Sequence, residues 1–333
     1  MVANNNSNRD SIYGLFLTFF LLISSIFFTA NNEITKTIFV IEKGMSLNAV
    51  TNLLYEKDII HNKSFFKYRV YFQGLSDKIP VGTFSVEGKV STKDIIHTIF
   101  KKGPIRIRLT IPEGSSSSQI FLNANYLLER SDNYNQLFTD PLFISEFNIE
   151  ASSLEGYLFP DTYYFFKDSS SREILSIMIN EFWNNFDKTF RDRTNELGFT
   201  VHEVVTLASI IEGEALLDHE RATISSVYHN RLKKRMKLQA DPTIQYLLPG
   251  APKALSIRDL KRVSPYNTYL NYGLPPGPIN NPGFESIRAA LYPSETNYLY
   301  FVAQGDGSHV FTTNQKDHLE AKRLYKKYKR ENR

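Results

Sequence analysis

Along Thr200–Ala215, TVHEVVTLASIIEGEA, apolar residues return at helical spacing, and Val204, Leu207, Ala208, Ile211 and Ala215 fall on one face. The start is marked by Thr200 and Glu203, spaced for a capping box in which each side chain takes the other's backbone amide. Glu212 sits on one shoulder of the apolar face, a turn beyond Ala208 and Ser209. A carboxyl held against apolar neighbours has its neutral form favoured, which is what a general acid needs. Glu214 sits on the other shoulder, beside Leu207, Ile210 and Ile211. At about 100° per residue the two carboxylates point roughly 200° apart, so at most one serves a given site, and the helical wheel leaves open which.

On the amino-terminal side, the pattern predicts a strand at 37–41, a turn at 42–44 and a serine-capped helix from Ser46 to Tyr55. A helix over 65–73, a short strand over 82–86 and a helix over 92–101 follow, and Gly103-Pro104 marks a boundary. The strand–Gly–Ser–helix pattern then returns, with an alternating strand at 105–111, a turn at Pro112–Gly114 and a helix at 119–130. The aromatic stretch LEGYLFPDTYYFF, 154–166, reads as a buried strand broken at Pro160. Ser170 starts a long helix running to about Leu197, with Gly198 as its stop. After the central helix come a helix over 220–231 capped by Asp218 or His219, a Pro- and Gly-rich loop at 273–283, and a hairpin of strands 298–302 and 309–313. A basic helix over 319–328 closes the chain.

Composition changes this picture at the amino terminus. Residues 11–32 carry no charge, and the run is long enough to cross a bilayer core of about 30 Å. Its apolar part, Ile12–Phe28, is longer than the roughly 7–15 residues of a signal peptide, so we expect an uncleaved anchor. Residues 1–10 are then a short tail before the anchor, whose orientation Arg9 and Lys36 leave open by flanking it equally; 33–102 make a small domain and 103–333 the larger one, giving an α+β chain. A net charge of +4 is too modest for a dedicated nucleic-acid binder. There are no cysteines, so disulfides and thiolate metal sites are excluded.

Several chemistries fall away on their spacing. In His202-Glu203-Val-Val-Thr206, threonine stands where a zinc-protease helix needs its second histidine. No phosphate loop, dinucleotide fingerprint or nucleophile elbow is present, and the seven histidines lack ligand spacing, so we expect neither metal nor cofactor. What remains is acid–base chemistry by carboxylates on an aromatic, amide-rich surface. Glu155, Tyr157 and Asp161 in the aromatic stretch suit sugar rings, which stack on aromatic faces and hydrogen-bond to acids.

Taken together, LEGYLFPDTY (154–163), LASIIEGEA (207–215), Glu220–Arg231 with QADPT (239–243), SPYNTYLNYGLPP (264–276) and 298–313 resemble the endolytic murein transglycosylases, the MltG or YceG-like family, in order and spacing. The resemblance spans nearly all of the chain after the anchor. It implies that Glu212 is the catalytic residue, that 33–102 is LysM-like and that 103–333 is a YceG-like catalytic domain. It further implies an inner-membrane protein acting outside the cytoplasm on nascent peptidoglycan, working beside peptidoglycan synthases. Glu155, Tyr157, Asp161, Glu220, Asn230, Gln239, Asp241, Tyr266 and Asn267 become candidates for touching sugar or orienting Glu212. The chain departs from the family in Gly213-Glu214, where Lys-Glu is frequent, and in Ala240, where Thr is common. Two rival functions stay open: a non-catalytic wall-binding scaffold, and a hydrolase pairing Glu212 with Asp161 or Asp241.

Overall fold

The computed structural model describes residues 33–250 and 254–331, so the expected anchor at 11–32 lies outside the described residues. No helix among the described residues is long and apolar enough to cross a membrane. The chain is mixed α/β, and it divides into two units. One runs to Ile107 and includes Phe166–Asp168; the other takes Arg108–Phe165 and the chain from Ser169 onward.

In the first unit, β1 (Glu33–Ile41) pairs antiparallel with β2 (Gly82–Lys89), with Phe39 opposite Phe84. These two rings stack at 5.5 Å and are fully buried, anchoring a core that also takes Ile41, Leu54, Phe66, Ile95 and Ile99. Its helices start where short polar side chains can take free amides. Ser46 caps α1 (Leu47–Glu56), Asn62 caps α2 (Lys63–Phe72), and Ser91 forms a capping box with Asp94 at α3 (Thr92–His97). The last of these continues as a wider turn, Thr98–Lys102, up to Gly103.

In the chain that follows, β3 (Arg106–Thr110) pairs with β4 (Thr162–Phe166). Ser116 and Gln119 form the capping box of α4 (Ser117–Leu128), and two short helices follow, α5 (Tyr134–Phe138) and α6 (Pro141–Ser145). Leu154–Pro160 is buried as expected, but it is irregular, and the strand begins only at Thr162. The expected long helix is two helices, α7 (Ser171–Asn185) and α8 (Lys188–Leu197). They part at Phe186, whose ψ of 68° is not helical, because Asp187 caps the second by accepting from Phe190 N at 3.0 Å. Gly198 ends α8 at φ +71°, a conformation that strains any residue with a Cβ.

The central helix, α9 (Val201–Glu214), opens with the expected capping box: Glu203 N donates to Thr200 Oγ1 at 3.1 Å, and Thr200 N to Glu203 Oε2 at 2.8 Å. Its surroundings differ from the expectation of one apolar face, since every residue from Val204 to Ile211 is buried. The reason is tertiary: α8, α10 (Arg221–Lys233), α11 (Asp241–Gln245) and α12 (Phe284–Leu291) all pack against it. Gly213 admits the approach of α11, because a Cβ there would stand 2.6 Å from Pro242 Cβ. The chain ends with the hairpin β5 (Tyr300–Ala303) and β6 (His309–Thr312), followed by α13 (Gln315–Glu331).

Candidate active site

Three helix ends of the second unit meet at Glu212. Its carboxylate lies in the last turn of α9, and its side chain is only 7% exposed. Oε1 accepts from Arg221 Nη1 at 3.1 Å, at the start of α10, and Oε2 accepts from Gly283 N at 3.0 Å, at the start of α12. Free amides and the positive end of a helix both favour an anion there. Arg221 is itself held, with Nε donating to Asp218 Oδ1 at 3.1 Å and Nη1 donating to the Ser286 hydroxyl. Burial opposes its charge, but the Glu212 and Asp218 carboxylates outweigh that and hold the guanidinium above its ordinary value.

The Pro- and Gly-rich loop that delivers Gly283 is tied along α9 at several points. His202 Nε2 meets the Pro276 carbonyl at 2.9 Å, which leaves Nδ1 to accept from the Tyr157 hydroxyl at 3.0 Å. Ile279 N donates to Ser209 Oγ at 3.0 Å, and Asn280 Nδ2 donates to the Ser209 carbonyl at 2.9 Å. Asn281 is the knot: its Oδ1 accepts from Gly156 N and Leu158 N, and its Nδ2 donates to Glu155 Oε1 and the Ser115 carbonyl. Glu155 also accepts from the amide and hydroxyl of Ser117, each at 3.0 Å. Burial pushes the Glu155 carboxyl up to about 7, against the pull of those three donors.

A second carboxylate reaches this site that the sequence pattern left inside a turn. Glu113, in the Pro112–Gly114 turn, lies 4.0 Å from Arg221 Nη2, with its side chain about half exposed. It rests over the α-carbon of Gly283, where an added Cβ would stand 1.8 Å from Glu113 Oε1. The neighbouring Gly114 brings this turn to Glu212, since a Cβ on it would meet Glu212 Cγ at 3.4 Å. Partial burial and the charge of Glu212 raise the Glu113 carboxyl above its ordinary value. The only sequence signal for Glu113 was an acid between Pro and Gly, which ordinary turns also show.

The other sequence-derived candidates are placed as follows. Glu214 turns away from Glu212 and accepts from the Tyr228 hydroxyl at 2.9 Å, and burial pushes it up to about 7. Glu155 and Tyr157 act on the site through Asn281 and His202, as described above. Asp161 is exposed and accepts from its neighbour Thr162 N, and Asp241 accepts from the Tyr269 hydroxyl. Glu220 holds the hairpin by accepting from His309 N at 2.9 Å, with its other oxygen 2.7 Å from His309 Nδ1. Asn230 donates to the Thr296 and Tyr298 carbonyls, and buried Asn267 donates to those of Leu260 and Arg262. Gln239 is exposed, with left-handed backbone at φ +49°, and Tyr266 packs against Tyr246 with its hydroxyl close to Gly277. Among the described residues, no group of three or more His, Asp or Glu could hold a metal ion.

Comparison with known proteins sets this geometry in context. Residues 39–324 match the YceG-like family. The chain is 35% identical over 302 residues to an endolytic murein transglycosylase of Bacillus subtilis (strain 168), covering 86% of this chain and 83% of that protein. It is 27% identical over 317 residues to an endolytic murein transglycosylase of Streptococcus pneumoniae serotype 2 (strain D39), covering 84% of this chain and 56% of that protein. A crystal structure of a yceG-like protein from Listeria monocytogenes superposes with a TM-score of 0.61 at 32% identity, covering 86% of this chain and 98% of that one.

Proposed function

We propose that this chain, which belongs to the YceG-like family, is a membrane-anchored lytic transglycosylase that cuts peptidoglycan strands internally, between MurNAc and GlcNAc. The observation that carries the reading is the setting of Glu212, a nearly enclosed carboxylate held from two sides by Arg221 and the Gly283 amide. Protonated Glu212 gives its proton to the glycosidic oxygen as the bond from MurNAc C1 to that oxygen breaks. The same carboxylate then takes the proton of the MurNAc C6 hydroxyl, whose oxygen bonds to C1 and closes a 1,6-anhydro ring. No water is consumed, and Glu212 ends protonated, as it began.

The other proposed features extend this reading. The uncharged stretch 11–32 would anchor the protein in the plasma membrane, with residues 33–333 outside the cytoplasm where new strands emerge. Residues 33–102 would be the LysM-like domain that holds glycan, and synthases of the elongation or division machinery would be neighbours in the membrane.

Glu113 gives the rival hydrolase reading a physical basis, since two carboxylates can activate water between them. Asp161 and Asp241, the partners expected from the sequence, bond elsewhere. Digestion of purified peptidoglycan in heavy-oxygen water separates the readings by mass. The transglycosylase leaves 1,6-anhydroMurNAc ends that carry no label. Labelled reducing ends that depend on Glu212 would establish hydrolysis instead, and no new ends at all would establish a scaffold.

A further inference from the structure

Glu212 is paired with a guanidinium in the structure, yet the reaction proposed above needs it to carry a proton at the moment of cleavage. Donating a proton means giving up the contact with Arg221 at 3.1 Å, so another acceptor nearby has to take the guanidinium over. Glu113 is placed to do so: it stands 4.0 Å from the other end of the same guanidinium and over the α-carbon of Gly283, the residue whose amide holds Glu212.

We infer that Glu113 is a positioning residue that acts through Glu212: the two carboxylates share one proton and one arginine, and they swap them when substrate enters. In the resting arrangement Glu113 holds the proton and Glu212 holds Arg221. In the reactive arrangement the proton has passed to Glu212, and Arg221 has turned to the Glu113 carboxylate. The trio carries the same net charge in both states, so no additional charge has to be buried during the exchange. Two like charges this close to one cation favour holding one proton between them. The raised Glu113 carboxyl, lifted first by burial and then by Glu212, agrees with this resting state. The other charged groups facing Glu113 are Asp218 and Glu285, which raise it further, and Arg221, which lowers it.

Gly283 explains how Glu113 is kept in position. Its φ of −77° is open to any residue, so backbone conformation does not require glycine there. What a side chain at 283 would displace is the end of Glu113, because its Cβ would overlap Oε1 at 1.8 Å and Cδ at 2.1 Å. Gly283→Ala therefore ejects a flexible side chain while keeping the amide that Glu212 accepts from.

The inference rests on the function proposed above, and its test uses the full chain in detergent, with Glu113→Gln, Gly283→Ala and the double variant. Each single variant is expected to slow strand cutting at least tenfold in kcat with little change in KM. Each should also move the alkaline limb of the pH–rate profile to lower pH, because the shared proton has lost one of the two carboxylates that hold it. The double variant should be no worse than either single one, since both break the same contact. A Gly283→Ala protein with wild-type rate and pH profile, or strictly additive losses, would overturn the inference. A second readout needs no activity: in carboxyl-labelled protein, the Glu113 resonance should titrate above the ordinary glutamate range. It should fall back toward that range in Gly283→Ala and in Glu212→Gln. An ordinary Glu113 titration in the wild type also overturns the inference. A protein that cuts no glycan but shows the raised Glu113 titration would sink the proposed function and leave the proton-sharing pair standing.

Discussion

Glu212 and Glu214 are two residues apart on one helix and serve different neighbourhoods, Arg221 and the Gly283 amide for the first and the Tyr228 hydroxyl for the second. Glutamine at 212 keeps the shape but can neither give nor take a proton. Glu212→Gln is expected to fold and to lose about 10²–10⁴-fold in the rate of anhydro-end formation, the range typical for removing general acid–base catalysis. Glu214→Gln should lose far less, and equal losses in the two variants would show that the assignment of Glu212 is wrong. Glu155 and Glu214 also set a pH dependence of stability. Both carboxyls are raised by burial from 4.5 to about 7, so between those values the folded protein binds more protons than the unfolded chain. Their contribution is complete below the unfolded value and is lost as pH rises through about 7. Relative to wild type, the Tm of Glu155→Gln should therefore improve as pH rises across this window. A gap between the two proteins that does not change with pH would rule this out.

At the scale of elements, the site depends on how α9 begins and on what passes beside it. Thr200→Ala removes the hydroxyl that accepts the Glu203 amide and should cost about 1 kcal/mol, read as a lower urea midpoint with unchanged slope. Gly156 is under a tighter constraint. It adopts φ +87°, and a Cβ there would lie 2.5 Å from Pro278 and 2.8 Å from Val205. Neither a proline ring nor the helix core can swing away. Gly156→Ala should cost about 2–5 kcal/mol, adding left-handed strain to overpacking, and should weaken activity by shifting the loop that presents the Gly283 amide. A variant with wild-type stability and rate would show that the loop is not pinned at this point.

At the scale of the whole molecule, the proposed anchor decides where the reaction happens. We expect residues 11–32 to stay on the mature protein, so that the mass of the membrane-extracted chain equals that of the full sequence. A mature form beginning near Ala30 or Asn31 would identify the segment as a signal peptide and remove the tether from the mechanism. Tethering would also favour internal cuts in uncrosslinked strands, because it holds Glu212 where new glycan leaves the membrane.

What the sequence determined by itself is local. The Thr200–Glu203 box, the Ser46 cap, the Gly198 stop and the β5–β6 hairpin were all readable, because each is a bond or a backbone preference among residues a few positions apart. The family motifs were readable for the same reason, as short runs with fixed spacing. The burial of α9 on every side was not, since periodicity on one helix does not show how many neighbours will pack around it. The break at Phe186–Asp187 was written in a cap that a continuous apolar pattern masked. The partners of Glu212 were beyond local reach: Glu113, Arg221 and Gly283 come from a turn and two helix starts far apart in the chain. Which of the many acids, arginines and glycines meet there depends on closing long loops and packing α9, α10 and α12 together. Only the folded chain makes that selection, because the energy that chooses those contacts comes from burying surface that no single segment contains.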